Sequence, residues 1–179
     1  MENKDYTVEI LEIIRSNTSP GIMRNRLEDY HANDLAEVFP QLKVSERRKI
    51  CRILDLDMLS DIFEHIDEQE AAEYLDEMDI KKAAAILSAM ETDAVVDVLQ
   101  MIPKEKKNLL IELMDDDARK DMAIIASFDE DEIGSRMTTN CIMIRENLTV
   151  KQAMSSLVEQ AAKNDNISTL FMVTEDNTF

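Results

Sequence analysis

The sequence has 179 residues, of which 45% are hydrophobic and 4% are aromatic, and it contains only two glycines and three prolines. This composition excludes wholesale disorder and favours helices joined by short loops, in one or two domains. With 20 Lys and Arg residues against 38 Asp and Glu residues, the formal net charge is −18. Such a chain repels nucleic acids and anionic lipid headgroups and attracts cations, so we expect no nucleic-acid partner.

The cysteines and the hydropathy pattern indicate a compartment. Cys51 and Cys141 stand far apart in the sequence and match no metal-binding or redox spacing. Two isolated thiols without a signal peptide are typical of the cytoplasm. No apolar run approaches the roughly 20 residues that a membrane-spanning helix needs, so we expect no lipid insertion by this segment.

The first predicted element is a capping helix at residues 6–14, followed by a turn at residues 16–21. A twelve-residue repeat comes next. Three columns of this repeat are apolar at every step, and their offsets of 0, +1 and +4 lie on one face of a helix. The columns are Val38, Ile50, Ile62, Tyr74, Ile86, Val98 and Leu110; Phe39, Cys51, Phe63, Leu75, Leu87, Leu99 and Ile111; and Leu42, Leu54, Ile66, Met78, Met90, Ile102 and Met114.

In each repeat one helix ends after the third column and the next helix begins. The residues there are Lys43, Asp55, Asp67, Asp79, Glu91, Pro103 and Asp115. Aspartate favours the helix N-cap and proline favours the first helical turn. Each repeat is therefore predicted to be a helix of about eight residues followed by a tight turn. Because such hairpins cannot bury their apolar faces alone, residues 22–127 are predicted to be nearly all helical and to stack as a superhelix.

The repeat loses its register after Met114, where the organisation of the chain changes. Residues 116–127 predict a last helix, and an acidic junction follows it. We therefore expect an acidic helical-repeat domain at residues 1–128, the junction at residues 129–133 and a second module at residues 134–179.

The second module has a strand-helix-strand pattern. An apolar run at residues 141–144 predicts a strand, and Thr149-Val150-Lys151-Gln152 is a capping box that opens a helix. The apolar face of that helix is Val150, Ala153, Met154 and Leu157. Residues 167–173 predict a buried strand and residues 175–177 a turn. The fold class is thus mostly α, a stack of helical hairpins followed by a partial α/β module whose sheet has an open edge.

The opening of the second module resembles a CBS domain. It contains Gly134-Ser135-Arg136-Met137-Thr138, Ile142-Met143-Ile144 and Leu148-Thr149-Val150 with Ala153, and the later Leu170-Phe171-Met172-Val173 resembles a second strand of that domain. An acidic repeat of short helices that runs into a CBS opening is similar to the cytosolic part of the MgtE magnesium transporter family. The resemblance covers nearly the whole chain.

The resemblance implies a regulatory role. In that family an acidic helical N-domain precedes two CBS domains, a connecting helix and a transmembrane pore, in a homodimer at the cell membrane. The implied ligand is Mg²⁺, bound between the N-domain and the CBS domains. Occupied sites favour a closed pore, and low Mg²⁺ releases the N-domain. The second CBS domain and the transmembrane domain are the implied partners, beyond residue 179.

The same resemblance implies particular metal ligands. By motif alignment of residues 91–97, Asp93 and Asp97 correspond to metal ligands at the interface. Asp61 matches another acidic ligand position, and Ser135 falls where a backbone carbonyl contributes.

The spacing of these aspartates permits a cation site without requiring one. Asp93 and Asp97 are four residues apart at a helix start and share a face, where like charges cost about 0.2–0.5 kcal/mol. Asp61 and Asp97 hold equivalent repeat positions, since 97 − 61 = 36 is three repeats. Mg²⁺ keeps several waters and takes one or two protein carboxylates, which suits sparse aspartates. The plain alternative is a solvated helix face with Asp93 as an N-cap.

Two rival interpretations remain open. The repeat alone would permit a protein-interaction solenoid similar to those of flagellar motor-switch proteins. CBS pairs often hold adenine nucleotides, and Ile167-Ser168-Thr169 lies where such contacts occur. His31 and His65 are isolated, and the sequence has no nucleophile elbow or phosphate-binding glycine loop, so catalysis is not expected.

Overall fold

The N-terminal part of the chain is built from short helices joined by tight turns. The computed structural model describes residues 6–125, 141–161 and 169–174. Its first range contains α1 (Thr7–Arg15), α2 (Pro20–Leu27), α3 (Ala32–Val38), α4 (Val44–Ile53), α5 (Leu56–Glu64), α6 (Glu68–Asp76), α7 (Ile80–Ala89), α8 (Thr92–Gln100), α9 (Lys104–Leu113) and α10 (Asp116–Ile125). A short 3₁₀ turn, Phe39–Gln41, separates α3 from α4. No strand interrupts residues 6–125, as predicted.

The predicted stop-and-restart positions lie at the N-termini of helices α4 to α10, as their N-caps. Asp55, Asp67 and Asp79 accept backbone hydrogen bonds on their carboxylates, for example from Met58 N to Asp55 Oδ1 at 3.0 Å. Asp115 Oδ1 accepts the N–H of Ala118 at 2.8 Å. Each cap satisfies donors that a helix start leaves without partners. The period of the turns is therefore confirmed.

The three apolar columns form the core of this stack. Of their 21 members, all but Met78 and Ile111 are buried, and those two pack against the core as partly buried side chains. Cys51 is buried as the column predicts, and that burial raises the pKa of its thiol to about 11. A thiol that stays protonated at neutral pH is a packing group and a poor nucleophile.

The helices pack in two rows. Helices α1, α3, α5, α7 and α9 each contact the next member of their own row, and α6, α8 and α10 form a matching series. Within these two series each helix lies beside the helix two positions away, so residues 24 apart in sequence hold equivalent places. This is the stacked-hairpin architecture that the repeat predicted.

Arg47 joins α4 to the end of α6. Its guanidinium forms an ion pair with Glu77 and donates to the Leu42 carbonyl at 2.6 Å. It also lies 4.4 Å from the centroid of the Tyr74 ring, a cation–π geometry. The Arg47 side chain is only 12% exposed, so its ion pair with Glu77 is largely enclosed between α4 and the end of α6.

By contacts, the chain divides into two compact units, residues 1–135 and 136–179, here named the helical unit and the small unit. The small unit contains β1 (Ile142–Arg145), α11 (Val150–Ala161) and β2 (Leu170–Val173). The strands are parallel, with Ile142 paired to Leu170 and Arg145 to Val173. The junction at residues 129–133 and the boundary at Gly134 lie outside the described residues, so the domain bounds remain predictions.

A side chain of α11 covers the outer edge of β1. The Gln160 amide accepts the Met143 N–H at 3.0 Å and donates to the Met143 carbonyl at 2.9 Å. A side-chain amide thus pairs with the backbone as a neighbouring strand would. The capping box predicted at the start of α11 is present, since Thr149 N donates to Gln152 Oε1 at 3.0 Å and Gln152 N reaches Thr149 Oγ1.

Two local expectations were wrong. The turn predicted at residues 16–21 ends earlier, because Pro20 is the first residue of α2, where its missing N–H costs nothing. Strand β2 is not buried, since of its four residues only Val173 is enclosed. The apolar face of α11 is only partly covered, since Val150 is 82% exposed and Met154 is 53% exposed, whereas Ala153 and Leu157 are half-buried. No described helix is long and apolar enough to cross a membrane.

Truncating a column leucine should destabilise the helical unit far more than truncating an exposed one. We expect Leu87→Ala, at a side chain with 0% exposure, to lower the free energy of unfolding by about 2–5 kcal/mol. The matched control is Leu109→Ala, at a helical position 51% exposed. It should change stability by only about 0.5 kcal/mol. Urea unfolding followed by circular dichroism measures both, and equal losses would contradict the assignment of the columns to the core.

Candidate cation-binding site

Helices α5 and α8 carry the three aspartates singled out in the sequence. Asp61 is an exposed residue of α5, and Asp93 and Asp97 are half-buried residues of α8. The N-cap of α8 is Glu91, so Asp93 is in the first turn and is not the cap. The plain interpretation of Asp93 as an N-cap is therefore wrong, and capping does not account for its carboxylate.

One oxygen of Asp93 has no partner. Its Oδ1 atom is buried and accepts no hydrogen bond from any residue that the structure describes. Buried polar atoms in folded proteins are nearly always hydrogen-bonded, because leaving one unsatisfied costs about 1–3 kcal/mol. Asp97 follows one turn later on the same face of α8. The first two turns of α8 thus hold two carboxylates, and one oxygen of Asp93 lacks a donor or a cation.

Glu64, which sequence reasoning missed, ties α5 to the start of α8. Its Oε1 atom accepts the backbone N–H of Glu91 at 2.6 Å, across 27 positions of sequence. The contact arises because α5 and α7 pack side by side in one row. The end of α5 therefore lies near the end of α7, where α8 begins.

The next hairpin contains an equivalent contact, here called the tie, in which a neutral side chain accepts the backbone N–H of an N-cap residue. Ser88 Oγ accepts the backbone N–H of Asp115 at 3.1 Å, again across 27 positions. Since 88 − 64 = 24 and 115 − 91 = 24, the two ties are equivalent in the repeat. A serine hydroxyl satisfies the N-cap donor in one case, so the tie itself does not need a negative charge. The carboxylate of Glu64 adds charge to a place that already holds Asp61 and Glu91.

The electrostatic environment of Glu64 reflects that crowding. Burial raises the pKa of the Glu64 carboxyl, and the charges of Glu91 and Asp61 raise it further. The hydrogen bond from the Glu91 N–H acts in the opposite direction. The pKa is raised on balance, so desolvation and like-charge repulsion outweigh the hydrogen bond.

The structure brings some of the candidate residues together. Asp61 and Glu64 are three positions apart on α5, and Asp61 is close enough to Glu64 to affect its ionisation. Glu91, hydrogen-bonded to Glu64, is two positions before Asp93. We name Asp61, Glu64, Glu91, Asp93 and Asp97 the acidic joint. The spacing of Asp61 and Glu64 is the one sequence signal that could have revealed Glu64. Ser135 lies outside the described residues.

The acidic joint fits part of a metal site and not a whole one. Within residues 6–125, 141–161 and 169–174, no three His, Cys, Asp or Glu side chains converge closely enough to hold a metal ion. A closed calcium or zinc cage would need that convergence. Mg²⁺ keeps several of its waters and binds through one or two carboxylates. The donor set is all oxygen, and Asp93 Oδ1 is unsatisfied, so the residues suit a partly hydrated hard cation.

Most of the helical unit matches a known protein family. Residues 30–131 match the family model described as the MgtE intracellular N domain. This chain belongs to the MgtE family. The match spans the repeat from just before α3 to the residues that follow α10, and so includes the whole acidic joint.

Two MgtE relatives are similar along nearly the entire chain. The magnesium transporter MgtE of Thermus thermophilus is 28% identical over 178 residues, and that of Bacillus subtilis is 23% identical over 177 residues. Each alignment covers 98% of this chain and 39% of the relative. The chain therefore spans about two fifths of the length of the MgtE proteins it matches.

Solved structures give the same result. The soluble part of a magnesium transporter matches with a TM-score of 0.84 at 27% identity, over 97% of this chain and 68% of the other. The cytosolic domain of the Mg²⁺ channel MgtE in complex with ATP matches with a TM-score of 0.82 at 26% identity, over 95% and 69% of the two chains. The family resemblance and the mostly α fold class inferred from the sequence are confirmed. The ligand roles of Asp61, Asp93, Asp97 and Ser135 remain predictions.

Neutralising Glu64 should stabilise the chain in a pH-dependent way. A carboxyl whose pKa is higher in the folded state destabilises that state at high pH, and the penalty disappears as pH falls below the unfolded-state value. Glu64→Gln should therefore raise the thermal midpoint near pH 7, and the gain should vanish by about pH 4. The amide oxygen can still accept the Glu91 N–H.

Glu73→Gln on α6 is the control, because it makes the same change at an exposed position. It should not reproduce the pH-dependent gain. If Glu64→Gln lowers the midpoint at pH 7, the charged acceptor contributes more than the repulsion costs, and the electrostatic description of the acidic joint is wrong.

Proposed function

We propose that this chain is a cytosolic Mg²⁺-sensing region of an MgtE-type magnesium transporter or channel, with a regulatory and not a catalytic role. In this proposal Asp61, Asp93 and Asp97 hold Mg²⁺ together with acidic groups of the second CBS domain and connecting helix, beyond residue 179. Ser135 contributes a backbone carbonyl. The parent protein is a homodimer in the cell membrane, and this segment lies on its cytoplasmic side.

The observation that supports the proposal most directly is the buried Oδ1 atom of Asp93, which has no hydrogen-bond partner among the described residues. Asp93 is two positions after Glu91, whose backbone N–H is bonded to the Glu64 carboxylate. A merely solvated helix face would leave that oxygen accessible to water. The tie between Ser88 and Asp115 supports the same view, because it makes the charge of Glu64 structurally unnecessary. Family membership supplies the ion, since the similar proteins are magnesium transporters.

Cation binding to the acidic joint would control whether the helical unit is held against the rest of the cytosolic region. When the carboxylates have no counter-ion, they repel one another and any acidic surface that approaches, over a range of about 10 Å in dilute salt. A bound divalent cation supplies positive charge that turns this repulsion into attraction. Asp93 and Asp97 then hold the helical unit in the closed arrangement of the whole protein, which keeps the pore shut. The closed state is favoured in proportion to the extra ions it binds.

Partial sites imply weak binding by the isolated chain. The described carboxylates provide only a fraction of a coordination shell, so affinity arises when the opposing acids are present. Several weak sites filled together respond steeply to concentration, without one tight cage. Such a sensor suits an ion that is abundant in cells.

Adenine-nucleotide binding is a second candidate function. It is favoured by one observation, the similarity to an MgtE cytosolic domain solved in complex with ATP. The sequence places this function at residues 167–169, of which the structure describes only Thr169, an exposed residue. The acidic joint would repel a nucleotide, so the two functions would use different parts of the protein.

The test is compaction of the whole cytosolic portion of the protein as Mg²⁺ is added. Small-angle scattering should record a fall in the radius of gyration for the wild type. Asp93→Ala/Asp97→Ala should shift the midpoint to higher Mg²⁺ by at least about tenfold, because two ligand charges are lost.

Asp116→Ala/Asp117→Ala is the matched control, since it removes the same charge from α10. In the structure Asp116 pairs with Arg119, and Asp117 pairs with Lys120. This variant should compact with a midpoint close to that of the wild type. Identical titrations for all three proteins would show that Asp93 and Asp97 are an ordinary solvated face.

A further inference from the structure

Helix α4 and its N-cap carry an excess of positive charge, in contrast to the rest of this acidic chain. Five of the 20 Lys and Arg residues fall within residues 43–52, in a protein of net charge −18. They are Lys43, Arg47, Arg48, Lys49 and Arg52. One acidic residue, Glu46, interrupts them, and it is paired with Arg15 at 2.9 Å. Part of the helical unit therefore has a polarity opposite to that of the acidic joint.

Two of these basic side chains have structural roles. Arg47 is held by Glu77 and the Leu42 carbonyl, and Lys49 donates to the Ile14 carbonyl at 2.8 Å, at the end of α1. These contacts satisfy groups that the stacked helices leave open. They explain why α4 is basic at those positions, and they leave the others unexplained.

Arg48 and Arg52 are exposed and retain free donors. Arg48 uses its Nε atom to reach the Glu77 carbonyl at 2.7 Å, and the structure shows no partner for its terminal nitrogens among the described residues. Arg52 is exposed and forms no hydrogen bond or ion pair within those same ranges. The two are four positions apart, so their guanidinium groups lie on one face of α4.

That face borders a cleft of about 880 Å³. Its lining includes Pro20, Lys43, Val44, Arg48, Arg52 and Ile53. No acidic side chain of the described residues lines it. Val44 is 42% exposed, and Lys43, Arg48 and Arg52 are exposed, so the cleft is shallow. Val44 and Ile53 thus form an apolar floor, bounded by the guanidinium groups of Arg48 and Arg52, which retain donors without a partner among the described residues.

We propose that this cleft, the α4 cleft, binds an acidic amphipathic segment of a protein partner. Carboxylates of the partner pair with Arg48 and Arg52, since the guanidinium fork matches a carboxylate in bidentate geometry. An apolar side chain of the same segment covers Val44 and Ile53. Charge complementarity and the apolar floor together select a peptide that carries both kinds of group.

Other anionic partners suit the cleft less well. A nucleic acid or a bilayer surface would face the whole chain and its net charge of −18, and would be repelled. A small anion would remain mostly in water, whereas small-molecule sites typically enclose about 70–90% of their ligand. A short peptide segment contacts only the α4 cleft, and salt at physiological strength screens charges more than about 8 Å away.

The test uses a fluorescein-labelled helical peptide of glutamate and leucine, with both residues on one face, and the full 179-residue chain. Fluorescence anisotropy should show saturable binding. Arg48→Glu/Arg52→Glu should weaken it by at least about tenfold, the size expected for losing two charge-assisted contacts. Arg52→Glu alone should weaken it severalfold, and it removes no hydrogen bond from the described fold.

Lys81→Glu/Lys104→Glu is the control, because it makes the same charge change at exposed residues outside the cleft. It should leave binding within about twofold of the wild type, given that distant charges are screened. A peptide with serine in place of leucine should bind more weakly. Absence of saturable binding, equal loss in the control, or full competition by inorganic tripolyphosphate without any effect of the leucines would overturn the proposal.

Discussion

A helix of seven to ten residues is too short to be stable in water by itself, and each α-helix that the structure describes in the helical unit is of that length. Stability must therefore come from neighbours in the stack, and each repeat has to present its apolar columns to the repeats before and after it. Val38, Ile62 and Ile86 show the result, since all three are buried and stand 24 residues apart in one row. The tight turns follow from the same constraint, because a longer loop would break the register that keeps the columns aligned.

The stacking also determines where charged groups meet. Because equivalent residues recur every 24 positions, two helix ends lie near an N-cap that is 27 positions later, in the pairs Glu64–Glu91 and Ser88–Asp115. The fold needs only an oxygen acceptor at that point. A carboxylate at position 64 therefore concentrates negative charge at the start of α8 without weakening the tie. The architecture provides the geometry, and the choice of side chain provides the capacity to attract a cation.

The sequence predicted the helical unit well, because apolar core positions and N-cap residues recur with a fixed period. Each repeat therefore supports the assignment of the others.

Prediction from the sequence failed where a contact depends on a partner that leaves no pattern in the sequence. Glu64 was missed because its partner is a backbone N–H group. Pro20 was placed in a turn because Ser-Pro-Gly favours turns, although proline also suits the first residue of a helix. The exposure of β2 could not be predicted, since an apolar run such as Leu170–Val173 does not reveal which of its sides is covered. Asp93 and Asp97 were singled out correctly as neighbours on α8, but only the structure revealed the unsatisfied oxygen.

Among the many acidic surfaces of the chain, the acidic joint is the proposed site of preference for a divalent cation. Paramagnetic broadening of backbone amide signals by trace Mn²⁺, used as a stand-in for Mg²⁺, measures that preference residue by residue. If the acidic joint is the preferred site, broadening begins around Asp93 and around Asp61 and Glu64, and excess Mg²⁺ reverses it. Broadening that begins instead at Asp116 and Asp117, or that spreads evenly over all acidic helices, would show that the acidic joint has no such preference.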